Sequence, residues 1–167
     1  MWRPGILFLI SWVAWAGDGE SQFEACEFKS AAHIFERALA GSPRDASLHF
    51  WAGRSYARMA EVASLLSAPR DARKAQSHLE AAVNLEPANR RYLEELFNFY
   101  IDSPQWFDGG LSRAATLLER LGPDDGGPGT PSKRLADARK ELRRAAWHVE
   151  QGILRLGAVI GRVGVEK

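Results

Sequence analysis

The chain carries a single cysteine, Cys26, in 167 residues. No intramolecular disulfide can hold it, so helix or strand packing must do so. It has no apolar run of about 20 residues, the length a membrane-crossing helix needs. Its four histidines, His33, His49, His78 and His148, stand in no HExxH or other close ligand spacing, and with one cysteine no CxxC exists. The common metal patterns are therefore missing. Glu94 and Glu95 are adjacent, so on a helix they face different ways. The Gly109-Gly110 step lacks the Lys-Ser/Thr and the preceding strand of a phosphate loop, and loop closure is its plainer role. No catalytic constellation is left, and the sequence predicts a non-enzyme that needs no cofactor. Net charge is only +1; with no global field to draw phosphate backbones, no nucleic-acid partner is expected.

What the chain does have is a repeat. Ala31, Phe35, Ala38, Pro43 and Tyr56 recur as Ala75, Leu79, Ala82, Pro87 and Tyr100, each 44 positions later. A fixed period of tens of residues points to stacked, repeated units. Within each copy the two alanines and the large apolar residue between them are four and three residues apart, which puts them on one helical stripe. The proline five positions after the second alanine stops that helix.

This pattern resembles the tetratricopeptide repeat, a pair of antiparallel helices of about 34 residues. Ala31-Phe35-Ala38-Pro43 and Ala75-Leu79-Ala82-Pro87 match its second helix. Ala52-Gly53-Tyr56 match its first. The next copy keeps Leu96 and Tyr100 but has Phe97 in place of the glycine, and Ala114-Leu118-Leu121 is a weaker third second-helix. The resemblance covers roughly residues 24–121, and it implies a short all-α solenoid that binds a peptide segment or a helix of another protein in a concave groove lined by first helices. The extra residues of the longer period fall between Tyr56 and Ala75.

The N-terminus reads as an export signal. Arg3 gives a positive start, Ile6 to Ala16 is uncharged and largely apolar, and Ala14-Trp15-Ala16 offers a small-x-small cleavage site. Removal of residues 1–16 would place the mature chain in the periplasm or bacterial envelope. An uncleaved anchor competes with this reading, as does a first helix of repeat one, although Gly17-Asp18-Gly19 is expected to break such a helix. Cys26, flanked by Glu24 and Glu27, lacks the basic setting of a reactive thiol and reads as a buried structural residue.

Further along, the repeat domain spans 17–121. Helices are expected over Ser21–Ala40, closed by Gly41; over Asp45–Leu66, capped by Asp45 or Ser47; over 72–85, capped by Asp71; from Ala88 to about Asp102; and over Leu111–Leu121. Residues 103–110 form a loop with Trp106 and Phe107. Residues 122–131, rich in Gly, Pro and Asp, form a linker expected to be mobile. Residues 132–160 form a basic amphipathic helix with Leu135, Ala138, Leu142, Ala145, Val149, Ile153, Leu156 and Ile160 along one face, and 161–167 a frayed tail. Residues 132–167 hold nine Lys or Arg against four acids, while the remainder holds 13 against 17.

The aromatic residues Phe50, Trp51, Tyr56, Phe97, Phe99, Tyr100, Trp106 and Phe107 divide between core and groove, with Tyr56 and Tyr100 assigned to packing. Groove candidates are the polar His49, Arg54, Arg58, Arg91 and Asn98, which suit a peptide backbone or carboxylate. The C-terminal helix has three readings: a cap over the last repeat, a helix on an anionic membrane surface, or a self-association element. The function these features favour is a non-enzymatic protein–protein interaction module acting after export. The alternatives are a membrane-surface assembly factor and an accessory subunit of an envelope enzyme.

Overall fold

The computed structural model describes residues 17–64, 66–102 and 110–163, and side chains through 153. Among the described residues every regular element is a helix. In chain order these are α1 (17–24), α2 (Phe28–Leu39), α3 (Ala46–Val62), α4 (Ala68–Leu85), α5 (Arg90–Asp102), α6 (Gly110–Leu121) and α7 (Pro131–Val163). Residues through Gly122 form one compact unit and those from Pro123 another. Residues 1–16, Leu65, 103–109 and 164–167 lie outside the described residues, and with them the expected export signal, Trp106, Phe107 and the end of the tail.

In the first unit each helix from α2 to α5 packs on its successor, and α3 also touches α5. Neighbours run antiparallel. Phe35 stacks on Trp51 at 6.1 Å while Ala32, earlier in α2, meets Tyr56, later in α3. By contrast α3 and α5 advance together: the rings of Phe50 and Tyr92 lie 4.8 Å apart, and Arg54, four residues on, reaches Glu95.

The apolar stripes of the repeat make this core. Ala31, Phe35, Ala75, Leu79, Ala82 and Phe97 are at most 1% exposed, and Ala38, Tyr56 and Tyr100 are buried as well. In α6 the buried stripe runs Ala114, Leu117 and Leu121, with Leu117 inside where Leu118 was expected. Gly53 is a contact glycine: a Cβ there would stand 2.7 Å from Leu79 Cγ and 3.1 Å from its backbone nitrogen. Pro43 and Pro87 follow helices that end at Leu39 and Leu85.

Several boundaries differ from the sequence expectation, each for a local reason. Gly17, Asp18 and Gly19 are themselves helical, in α1. The Ser21–Ala40 block is split, because Cys26 adopts φ +61 in a turn between α1 and α2. That thiol is exposed, which overturns its assignment as a buried residue. Asp45 caps α3 by accepting the Leu48 N–H at 3.1 Å, and α3 stops at Val62, short of Leu66. Helix α4 opens at Ala68, before Asp71, because Pro69 sits in its first turn, where a missing N–H costs nothing. At the end of α6, Gly122 takes φ +79 and its N–H returns to the Leu118 carbonyl, a left-handed helix stop.

In the second unit, residues 123–130 are coil and turn. Asp124 accepts the N–H and hydroxyl of Ser132 and the N–H of Gly126, satisfying a donor in the first turn of α7. These bonds, led by the Ser132 hydroxyl, hold the Asp124 carboxyl below its usual pKa. Helix α7 passes through Gly152 and Gly157 and on to Val163, three residues beyond the expected end at Ile160.

Candidate partner-binding site

Two polar arrangements stand out on the helices of the first unit. The first is internal. Tyr56 on α3 donates its hydroxyl to Glu36 of α2 at 2.6 Å, and Lys74 of α4 donates to both Glu36 (2.8 Å) and the Tyr56 oxygen (2.7 Å). One repeat later, Tyr100 on α5 donates to Glu80 of α4 at 2.5 Å, and Arg113 of α6 donates to Glu80 (2.7 Å) and to the Tyr100 oxygen (3.2 Å). Each clasp joins three successive helices. Glu36 and Glu80 stand at the same 44-residue offset as the two tyrosines.

The electrostatics follow from the contacts. Burial opposes ionisation of Glu36, but the hydrogen bonds from Lys74 and Tyr56 and the Lys74 charge outweigh it, and its pKa lies below the ordinary value. The hydrogen bond to Glu36 raises Lys74. Burial, then donation to Glu80, pushes Tyr100 up to about 12.

The second arrangement lies on α1, α3 and α5. The Arg54 guanidinium sits over the rings of Phe23 at 4.7 Å, Trp51 at 5.0 Å and Phe50 at 5.5 Å. Its Nε donates to Glu95 at 3.2 Å. Arg91 covers Phe50 at 4.6 Å and Trp51 at 5.3 Å from the outside. Phe23 meets Trp51 edge to face at 5.4 Å. Each cation held over a ring is stabilised by about 0.5–2 kcal/mol, more where it is drier. Arg54 is a quarter exposed and Arg91 is exposed. Three helices thus converge on an aromatic base carrying two guanidinium groups.

The groove candidates separate accordingly. Arg54 and Arg91 meet at the aromatic base. Arg58, one turn beyond Arg54, is half-exposed and donates to Glu61 at 2.6 Å, which raises its pKa. Asn98, three residues past Glu95 on α5, is half-buried. His49 is engaged internally: its Nε2 lies 3.1 Å from the Pro43 carbonyl and its Nδ1 3.0 Å from Nδ1 of His78. Because a carbonyl only accepts, Nε2 of His49 carries the proton, and its Nδ1 accepts from His78 Nδ1–H. Burial, then the neighbouring His49, lowers the pKa of His78. Glu94 pairs with Arg90 and Glu95 with Arg54, so the adjacent carboxylates do diverge.

Sequence reasoning missed Phe23, Glu95 and both clasp acids. Counting polar as well as apolar recurrences at the same offset finds Glu36 and Glu80; nothing local marks Phe23. Among the described residues no cluster of His, Cys, Asp or Glu is arranged to hold a metal ion. No protein-family model matches the chain, and no curated protein matches it at a significant level.

Proposed function

We propose that residues 17–121 are a short tetratricopeptide-like solenoid that serves, after export, as a non-catalytic adaptor gripping a peptide or helix of another protein. The observation that carries this reading is the aromatic base with its two arginines. It draws on α1, α3 and α5, which are the first helices of the proposed pairs and would line the groove. Arg54 and Arg91 offer rigid planar donors to a backbone carbonyl or carboxylate, and Trp51 and Phe50 beneath them hold the guanidinium planes in place. The repeated clasp supports the solenoid itself, since Tyr56–Glu36 and Tyr100–Glu80 make equivalent contacts one period apart, each joined by a cation from the following helix.

The test is selection of peptides from a displayed library on the mature protein, whose first residue is expected to be Gly17 on N-terminal sequencing of the exported fraction. Peptides enriched on the wild type should lose about tenfold or more in affinity on Arg91→Ala, an exposed change that leaves the fold intact, and again on Arg54→Ala. Each loss corresponds to a charge-assisted contact of about 1.5 kcal/mol or more. Enrichment of peptides indifferent to both substitutions would remove the site from consideration.

A further inference from the structure

We infer that α7 is a membrane-surface helix, which lays its exposed apolar stripe and flanking cations on an anionic lipid bilayer. Every residue from 141 to 150 is exposed. Leu142 is 40% exposed, Val149 64% and Ile153 63%. At about 100° per residue these three fall within about 40° of arc, so they form one stripe and not scattered surface residues.

The charge beside that stripe selects the occupant. Over 133–144, Lys133, Arg134, Arg139, Lys140, Arg143 and Arg144 stand against Asp137 and Glu141. The two acids pair with Lys133 at 3.0 Å and Arg144 at 2.8 Å. Arg139, Lys140 and Arg143 have no acidic partner among the described residues. Arg139 and Arg143 lie about 60° and 100° from the stripe's centre, at the height where lipid phosphates meet a helix whose apolar side is sunk in the acyl boundary. Among the described residues no helix is long and apolar enough to cross a membrane, so the contact is along the surface.

A second copy of the chain suits the stripe less well. Alternate positions hold Ala138, Ala145 and Gly152, which supply no knobs. Parallel pairing would also set Arg134 of one copy against Arg139 of the other. Nucleic acid would use the cations but leave Leu142, Val149 and Ile153 in water.

The full chain should co-sediment with vesicles of mixed phosphatidylglycerol and phosphatidylcholine, and far less with phosphatidylcholine alone. Raising salt from about 0.1 M to about 1 M, which cuts the screening length from about 10 Å to about 3 Å, should release it. Neutralising Arg139 and Arg143 to Gln should lower partitioning about fivefold each, or about 25-fold together, whereas Lys140→Gln, about 160° from the stripe's centre, should change it little. Leu142→Glu, Val149→Glu and Ile153→Glu combined should abolish it, and as all three sites are exposed the fold should survive. Failure to bind anionic vesicles overturns the proposal. So does equal binding to neutral vesicles, or binding that both sets of substitutions leave intact, which would assign the contact to another segment such as 1–16. A lipid-free dimer dissolved by the apolar substitutions would give the stripe to a second copy, and that too overturns it.

Discussion

Tyr56→Phe and Glu36→Ala, alone and together, measure how much the first clasp contributes. The hydroxyl of Tyr56 lies 2.6 Å from Glu36, and the tyrosine is only 6% exposed. A net hydrogen bond to a charged acceptor is worth about 1.5–3 kcal/mol when dry. Glu36 and Lys74 are 37% and 40% exposed, however, so the acid keeps a cation and water after the hydroxyl is gone. The solvent-screened Glu36–Lys74 pair itself contributes about 0.5 kcal/mol. The Tyr56–Glu36 coupling energy should therefore be about 1 kcal/mol, below the range for dry charged partners. Tyr100→Phe with Glu80→Ala repeats the experiment one period later. The second cycle should agree with the first within about 0.5 kcal/mol, and the two clasps, which share no residue, should add. Urea unfolding followed by far-UV circular dichroism gives the four-corner free energies. A coupling indistinguishable from zero in either cycle, or a sign difference between them, would refute the idea that equivalent residues do equivalent structural work.

Gly53→Ala tests close approach against helix propensity. Propensity alone favours alanine by about 1 kcal/mol, but the new Cβ would meet Leu79, which is 1% exposed and cannot swing away. Overpacking of about 1–3 kcal/mol should make the substitution net destabilising in the same urea assay, and a stabilised variant would contradict the contact. His78 gives the pH dependence. Its folded pKa is depressed, so below 6.5 the unfolded chain binds the proton more readily and stability falls as pH drops from there toward the folded value. Glu36, also depressed, contributes stability above 4.5 that is lost only at lower pH. Thermal melts across these windows should show an early loss that His78→Gln removes and a later one that it leaves.

Apolar spacing made the helical class and the core legible in the sequence alone. Ala31, Phe35, Ala38, Ala75, Leu79 and Ala82 lie inside because a stripe four and three residues apart has one face to bury. The breaks were less legible. The turn at Cys26 has no glycine, asparagine or proline to announce it, and Pro69 stands where a helix can begin as well as end. Of the site, Arg54 and Arg91 were readable as polar residues on α3 and α5. Their stacking on Phe23, Phe50 and Trp51 depends on three helices meeting, which no local pattern encodes. His49 showed the same limit from the other side, since its partner His78 is 29 residues away.

The glycines explain where the long period comes from. A Cβ at Gly19 would stand 2.6 Å from the Phe35 ring, just as one at Gly53 would stand 2.7 Å from Leu79. Phe35 and Leu79 are 44 positions apart, but Gly19 and Gly53 only 34. Equivalent contacts therefore close a span of 16 residues in the first pair and 26 in the second. The additional residues lie between Gly53 and Leu79, in the longer α3, the start of α4 and the turn between them. That agrees with the sequence reading, which put them between Tyr56 and Ala75. It also gives α2 a packing neighbour in α1. The contact is made by Gly19, 34 positions before Gly53. Cleavage after Ala16 would leave 17–24 on the mature chain, so the helix supplying Gly19 and the Phe23 ring beneath Arg54 would survive export.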